Sequence, residues 1–243
     1  MALLGGCAAL FIAVPEIDLA VAAATHVERV DFMLSGSAPG NAIRGVFLLL
    51  FASAACVVLF GLCHSLLRGR RTERPRSGVV DFLLWLFLAS AFVVGPGLVA
   101  NTLMKDQFGR ARPHHLAAFG GDKFFTAAFV PSDQCARNCS FVGGESSSAF
   151  MLFFALALAV PRRRRALIQI GIAAGALIGS VRILQGAHFL SDIVVSGVLM
   201  WLVAVALHWV VMVRLASYFH DGRPEYRAAI DRSAPTAPAL PVH

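Results

Sequence analysis

The stretch Arg182-Ile183-Leu184-Gln185-Gly186-Ala187-His188-Phe189-Leu190-Ser191-Asp192 sets three charged or titratable side chains between two apolar runs, each long enough to cross a bilayer. A helix beginning near His188 places His188 and Asp192 four residues apart on one face, one turn from each other. A carboxylate there holds an imidazole in one tautomer and stabilises the charge it acquires, the arrangement of a working histidine. Arg182 lies six residues from His188, a rotation of roughly 600°, so no continuous helix brings the two together. Gly186 lets the chain turn, and the segment reads as a tight helical hairpin with all three polar groups at its tip.

The rest of the chain supports a membrane setting. Of its 243 residues, 58% are hydrophobic and 14% charged, against about 25% charged in a soluble domain. The net charge of +7 does not point to nucleic acid, because the arginines cluster beside apolar runs instead of forming a stripe with aromatic platforms. Cys7, Cys56 and Cys63 lie in apolar runs and read as small buried hydrophobes. Cys135 and Cys139 flank a polar loop and pair if that loop faces an oxidising compartment. A zinc site is the alternative there, with His114 and His115 as the two further ligands.

Taken in order, the apolar runs predict six spans, at about 2–24, 42–67, 79–103, 145–160, 166–182 and 189–213. The first carries Glu16 and Asp18 with Pro15 between two halves, so it is either one span with a polar blemish or a short span followed by an interfacial helix. Met1 is followed by no basic residue, which disfavours a cleaved signal peptide. The third span is expected to bend at Gly95-Pro96-Gly97. Residues 105–144 read as a long polar loop, and 220–243 as a disordered tail outside a membrane domain of residues 1–219. The 68–76 loop, the 162–165 loop and the tail from Arg214 onward hold thirteen of the 21 basic residues. All three fall on one side of a six-span chain, and the positive-inside rule makes that side cytoplasmic. Both termini are then cytoplasmic, while the 105–144 loop and the 182–192 hairpin share the outer face. The fold class is all-α, a six-span transmembrane bundle with a polar loop on its outer face.

Two further elements fall on that face. Lys105 and Arg112 are seven residues apart, nearly two helical turns, and would point the same way about 10 Å apart. Pro113 pushes Arg112 out of helical geometry and ends the run. With Arg182 they make three cationic donors for a phosphate, the arginines able to hold two oxygens at once and the lysine acting as a point charge. The other element is Ser140-Phe141-Val142-Gly143-Gly144-Glu145-Ser146-Ser147-Ser148, in which two glycines let a helix N-terminus approach an anion. Glu145 would either cap that helix or, buried beside an anion, act as a general acid. Arg110, Lys123 and Arg137 meet an anionic headgroup or face water.

Lys105, six residues, Arg112-Pro113, then a glycine-containing turn, then Arg182, five residues, His188, three residues, Asp192 resembles the type 2 phosphatidic acid phosphatase family. The resemblance implies that His188 attacks phosphorus to form a phosphohistidine, that Asp192 orients it, and that Lys105, Arg112 and Arg182 bind the phosphoryl oxygens without a metal. The middle motif departs from the family's Pro-Ser-Gly-His, since Val142, Gly143, Gly144 and Glu145 stand there. Only Gly144 carries over directly. Glu145 is expected to take the acid role, and Ser146 or the Gly143 and Gly144 amides to replace the missing hydroxyl. Ser-Phe-Val-x-Gly-Glu preceded by a cysteine pair resembles a bacterial branch that includes lipid A phosphatases.

The expected activity is therefore hydrolysis of a phosphate ester, or of a terminal phosphate, on a membrane lipid at the periplasmic face of a cell inner membrane. A lipid A-like substrate is favoured over undecaprenyl diphosphate or a glycerophospholipid, with no cofactor, no nucleic acid and no obligate protein partner. A non-catalytic binder of anionic lipid is the reading from another class. A transporter would call for polar residues inside several spans, and these spans are nearly free of them.

Overall fold

The computed structural model describes residues 2–28, 31–71 and 76–218. Among them, four helices are long and apolar enough to cross a bilayer: Ala38–Arg68, Gly78–His115, Pro161–Leu184 and Leu190–Leu215. The first apolar stretch is not a straight span. It breaks into α1 (Ala2–Ala13) and α2 (Glu16–Thr25), bent by 75° about Pro15, and counted as one broken span it raises the number to five. Two short antiparallel strands, β1 (His26–Val27) and β2 (Asp31–Phe32), join this pair to α3 (Ala38–Arg71). Thus α3 begins at Ala38, ahead of the span expected from about residue 42.

Helix α4 (Arg76–Phe92) runs into a π-helical stretch, Val93–Met104, and ends in α5 (Lys105–Phe108). Pro96 lies inside the π stretch. It cannot donate to the preceding turn, and widening the helix is one way to absorb that loss. The loop that follows packs as short 3₁₀ turns at Pro113–His115 and Ala117–Phe119.

Helix α6 (Gly144–Ala159) has 16 residues, about 24 Å at 1.5 Å per residue, less than the thickness of a hydrocarbon core. It is tolerated because it is enclosed, with Ser146, Ser147, Ala149, Phe150, Met151, Phe154, Ala155 and Ala157 buried. Helix α7 (Arg164–Leu184) lies against it through glycines. A Cβ at Gly171 would press on Phe153 and Phe154, one at Gly175 would run into Phe150, and one at Gly179 into Ile193 of α8 (Leu190–His208). Small residues every fourth position let helices approach closely where lipid supplies no hydrophobic drive.

The tip between α7 and α8 is tied down from two directions. Leu34 N–H donates to Leu184 O at 2.8 Å, and His114 N–H to Gly186 O at 3.0 Å. Gly186 has φ +66°, the left-handed conformation the hairpin requires, and a side chain there would clash with Phe32. Cys56 and Cys63, expected to be buried, instead lie exposed on α3, a helix whose outward face is a row of apolar side chains including Leu49 and Phe60. The expected disordered tail of 220–243 lies outside the described residues, as do residues 72–75 of the basic loop.

Candidate functional site

His188 sits in the turn between α7 and α8, 3% exposed. It is not in a helix, contrary to the reading of a helix from about 188: α8 starts at Leu190 with Phe189 as its N-cap. The pairing with Asp192 arises from helix capping. Asp192 Oδ2 accepts the Phe189 N–H at 2.8 Å, which satisfies an otherwise orphaned donor and turns the carboxylate back over the turn. His188 Nδ1 lies 3.4 Å from that oxygen, a loose contact, and among the described residues no other group stands closer as a hydrogen-bond partner. Burial pushes the His188 imidazole down to about 4 from the ordinary 6.5, with Asp192 acting against the shift and the charges of Lys105 and Arg112 adding to it. The ring is therefore neutral at neutral pH, with a lone pair on one nitrogen.

The three expected cations converge here. Lys105 interacts electrostatically with Arg112, Arg182 and Asp192, and Arg182 with Arg112. The helix carrying Lys105 stops at Phe108, because Gly109 turns left-handed at φ +59°, so the run does not continue to Pro113. Arg112 is extended (φ −84°, ψ 155°) and reaches the site from the loop. Asn138 orients both residues. Its Oδ1 lies 3.3 Å from Lys105 Nζ, and its carbonyl accepts from Arg112 Nη2 at 2.8 Å. A disulfide between Cys135 and Cys139 closes the short loop around Asn138. With those sulfurs joined, they are not zinc ligands, and among the described residues no cluster of three or more His, Cys, Asp or Glu stands together. His114 Nδ1 is 2.7 Å from Gly186 O. Arg182 donates from Nη1 to Gln185 at 2.6 Å, while its Nε is buried without a hydrogen-bond partner among the described residues.

The middle element supplies the N-terminus of α6, whose N-cap Gly143 provides no side-chain cap. A Cβ on Gly144 would strike Asn101 and lie 3.1 Å from Lys105 Nζ, so only glycine lets the backbone come this near the cations. Ser146, expected as a phosphate contact, turns its hydroxyl to Gly143 O at 3.1 Å, the usual back-bonding of a serine in a first turn. Glu145 neither stands free nor merely caps the helix. Arg44 of α3 clamps it, with Nη2 2.6 Å from Oε1 and Nε 2.8 Å from Oε2, and Arg182 Nε lies 3.9 Å from Oε1. Arg44 is thus a fourth cation at the site, and sequence reasoning missed it. The only local signal was an arginine at the entry to an apolar run, a common interfacial position.

Arg110, read as facing a headgroup or water, is 1% exposed and lies behind the histidine. It donates from Nη1 to Asp192 Oδ1 at 2.7 Å and Ser191 Oγ at 2.9 Å, from Nη2 to Asp18 Oδ2 at 2.8 Å, and from Nε to Thr126 O at 2.8 Å. Its guanidinium lies over the Phe189 ring, 4.1 Å from the centroid. Asp18, the blemish in the first apolar run, is fully buried. Ser140, from the middle motif, donates its hydroxyl to Asp192 Oδ2.

Lipid A 4'-phosphatase of Francisella tularensis subsp. novicida is 42% identical over 117 residues, 48% of this chain and 53% of that protein. Lipid A 4'-phosphatase of Rhizobium etli is 33% identical over 135 residues (56% and 51%), and Lipid A 1-phosphatase of the same organism 38% over 102 residues (42% and 40%). The chain spans about half the length of the curated relatives it matches. A crystal structure of a transmembrane PAP2 type phosphatidylglycerolphosphate phosphatase from Bacillus subtilis aligns with 88% of this chain and 100% of its own, at 16% identity and a TM-score of 0.37. The family model of the PAP2 superfamily matches residues 78–216, over half of the chain and a segment that holds Lys105, Arg112, Glu145, Arg182, His188 and Asp192. This chain, with its cations gathered around a buried neutral histidine, belongs to the PAP2 superfamily.

Proposed function

We propose that the protein is a membrane phosphatase that hydrolyses a phosphate monoester of a lipid, with a lipid A-like substrate favoured by the names of its relatives. The observation that carries the reading is the meeting of Lys105, Arg112 and Arg182 with a neutral His188 backed by Asp192. Phosphoryl transfer asks chiefly for positioning and charge stabilisation, which this set supplies. The cations and the α6 N-terminus hold the phosphoryl oxygens. The free ring nitrogen of His188, Nε2, attacks phosphorus, the P–Nε2 bond forms, and the P–O bond to the lipid breaks. Asp192 stabilises the positive charge that develops on the ring. A proton passes to the leaving oxygen, water then attacks the phosphohistidine, and inorganic phosphate leaves with the histidine neutral again.

Glu145 is the proton donor in this scheme. Since Arg44 clamps both of its oxygens, the role requires the incoming phosphate to draw Arg44 away and leave the carboxyl beside an anion, where it takes up a proton. An apolar groove of about 430 Å³ supports a lipid substrate. It runs between α3, α6 and α7, lined by Ile43, Val46, Phe47, Leu152, Ala174 and Leu177 among others, and Arg44 follows its lining residue Ile43 in the chain. A phosphorylated head at the cations and an acyl chain in the groove fit one amphipathic molecule.

The proposed topology has six spans, counting the bent α1–α2 pair and the enclosed α6 with the four long helices. The basic loops face the cytoplasm with both termini, and the site faces the periplasm from the inner membrane. The test is inorganic phosphate release by reconstituted protein from a phosphorylated disaccharide lipid. Release that vanishes in His188→Ala is expected. Release that persists in that variant overturns the nucleophile, and wild-type protein that binds the lipid without releasing phosphate is instead a lipid-binding protein.

A further inference from the structure

Asp18, Arg110, Asp192 and His188 form one buried chain of charged and polar groups. Asp18 accepts from Arg110 Nη2 at 2.8 Å and from the Ser191 N–H at 2.8 Å, and Ser191 Oγ also donates to it. The Ser191 N–H is a first-turn donor of α8 with no partner inside that helix. A carboxylate from a segment 173 residues away therefore caps the helix that starts with the catalytic turn. Arg110 in turn bridges Asp18 and Asp192, with 1% of its side chain exposed and both carboxylates at 0%.

The charge balance gives Asp18 a function that packing alone does not require. Arg110 opposite Asp192 alone would cancel the negative charge that Asp192 presents to His188. Shared with Asp18, the guanidinium leaves the group of three with one net negative charge, directed at the ring that becomes positive as it attacks phosphorus. In a buried site such a difference is weakly screened. A carboxylate this deep is costly unless it is paired and hydrogen-bonded, as all of these groups are. The family match begins at residue 78, so α2 and Asp18 lie outside it.

We propose that Asp18 is a positioning residue for the proposed phosphatase reaction: by sharing Arg110 and capping α8, it holds Asp192 on His188 with its negative charge intact. The broken α1–α2 pair, on this view, serves to carry a carboxylate to the back of the site. The inference rests on His188 being the nucleophile.

The test compares Asp18→Asn, Arg110→Gln and the double variant with wild type in phosphate release from a phosphorylated lipid, with vanadate inhibition as a measure of the cation site. Asp18→Asn should lower kcat by about tenfold to hundredfold, the scale for residues that orient a reacting group, with KM and the vanadate inhibition constant within about twofold of wild type. Because the residues act as a unit, the double variant should lose no more than the worse single one. Glu16→Gln, an exposed acid on the same helix, should match wild type. If Asp18→Asn does not fold, Ser191→Ala removes one donor from the same carboxylate and should lower kcat several-fold at unchanged KM. Wild-type kcat in the folded Asp18→Asn or Ser191→Ala variant, or losses that multiply in the double variant, overturn the proposal. Phosphate release surviving His188→Ala would instead remove the reading beneath it, so the two failures are told apart.

Discussion

Replacing Glu145 by glutamine keeps its shape and one acceptor for Arg44 but removes the proton-carrying function. Two consequences differ in size and in substrate dependence. The ion pair is about one-quarter exposed at each end (26% and 21%) and bidentate, so weakening it costs on the order of 1–2 kcal/mol of local stability after allowing for solvent. General acid catalysis contributes roughly 10²- to 10⁴-fold, about 3–5 kcal/mol of barrier, when the leaving group is a poor one. A sugar or other alkyl alkoxide is such a group, whereas p-nitrophenolate departs without a proton. The assay is therefore steady-state turnover of Glu145→Gln on a phosphorylated disaccharide lipid and on p-nitrophenyl phosphate, in one detergent and at one pH. A general acid gives a loss of at least about a hundredfold on the lipid and little change on the nitrophenyl ester. Equal losses on both would refute the acid role and leave Glu145 as the organiser of Arg44 and Arg182, because disordered cations weaken phosphate binding whatever the leaving group.

Two other expectations follow from the same geometry. His188 is held neutral, at about 4 against 6.5 for a free histidine. The acid limb of kcat/KM should accordingly keep its plateau through pH 6 and fall only as pH drops toward 4, where the nucleophile is protonated; a limb near 6.5 would contradict the burial that sets it. Val46→Trp, an exposed position lining the apolar groove, should raise KM for a long-chain phosphorylated disaccharide lipid and leave turnover of p-nitrophenyl phosphate unchanged. Loss on both substrates would take the groove out of substrate binding.

What the sequence reveals and what it hides divide by distance along the chain. The long apolar helices are legible because each is a continuous run whose solvent is lipid, and the hairpin tip is legible because Arg182, Gly186, His188 and Asp192 fall within eleven residues. The spacing does bring His188 and Asp192 together, but not through a shared helix face. Asp192 meets His188 because it caps α8 from inside, and cap geometry sits at the boundary that periodicity resolves least well. The bend at Pro15 was foreshadowed by the proline, but composition alone does not tell a broken helix pair from a single span.

The decisive ion pairs are the part that was not legible. Arg44 and Glu145 are 101 residues apart, and Arg110 and Asp18 are 92 apart. No local pattern selects either partner among 21 basic residues. Yet the cost of burying charge narrows the search. A carboxylate within an apolar run has to find a cation or stay uncharged, so Asp18 could have been marked in advance as a residue with a concealed partner. The same reasoning applies to the altered middle motif. Where a glutamate replaces a histidine among cations, an arginine from outside the motif can balance it, and α3 supplies that arginine at its entry into the membrane run. Glu145 and Arg44 form one ion pair across 101 residues, and the leaving-group experiment separates its charge-balancing role from proton transfer.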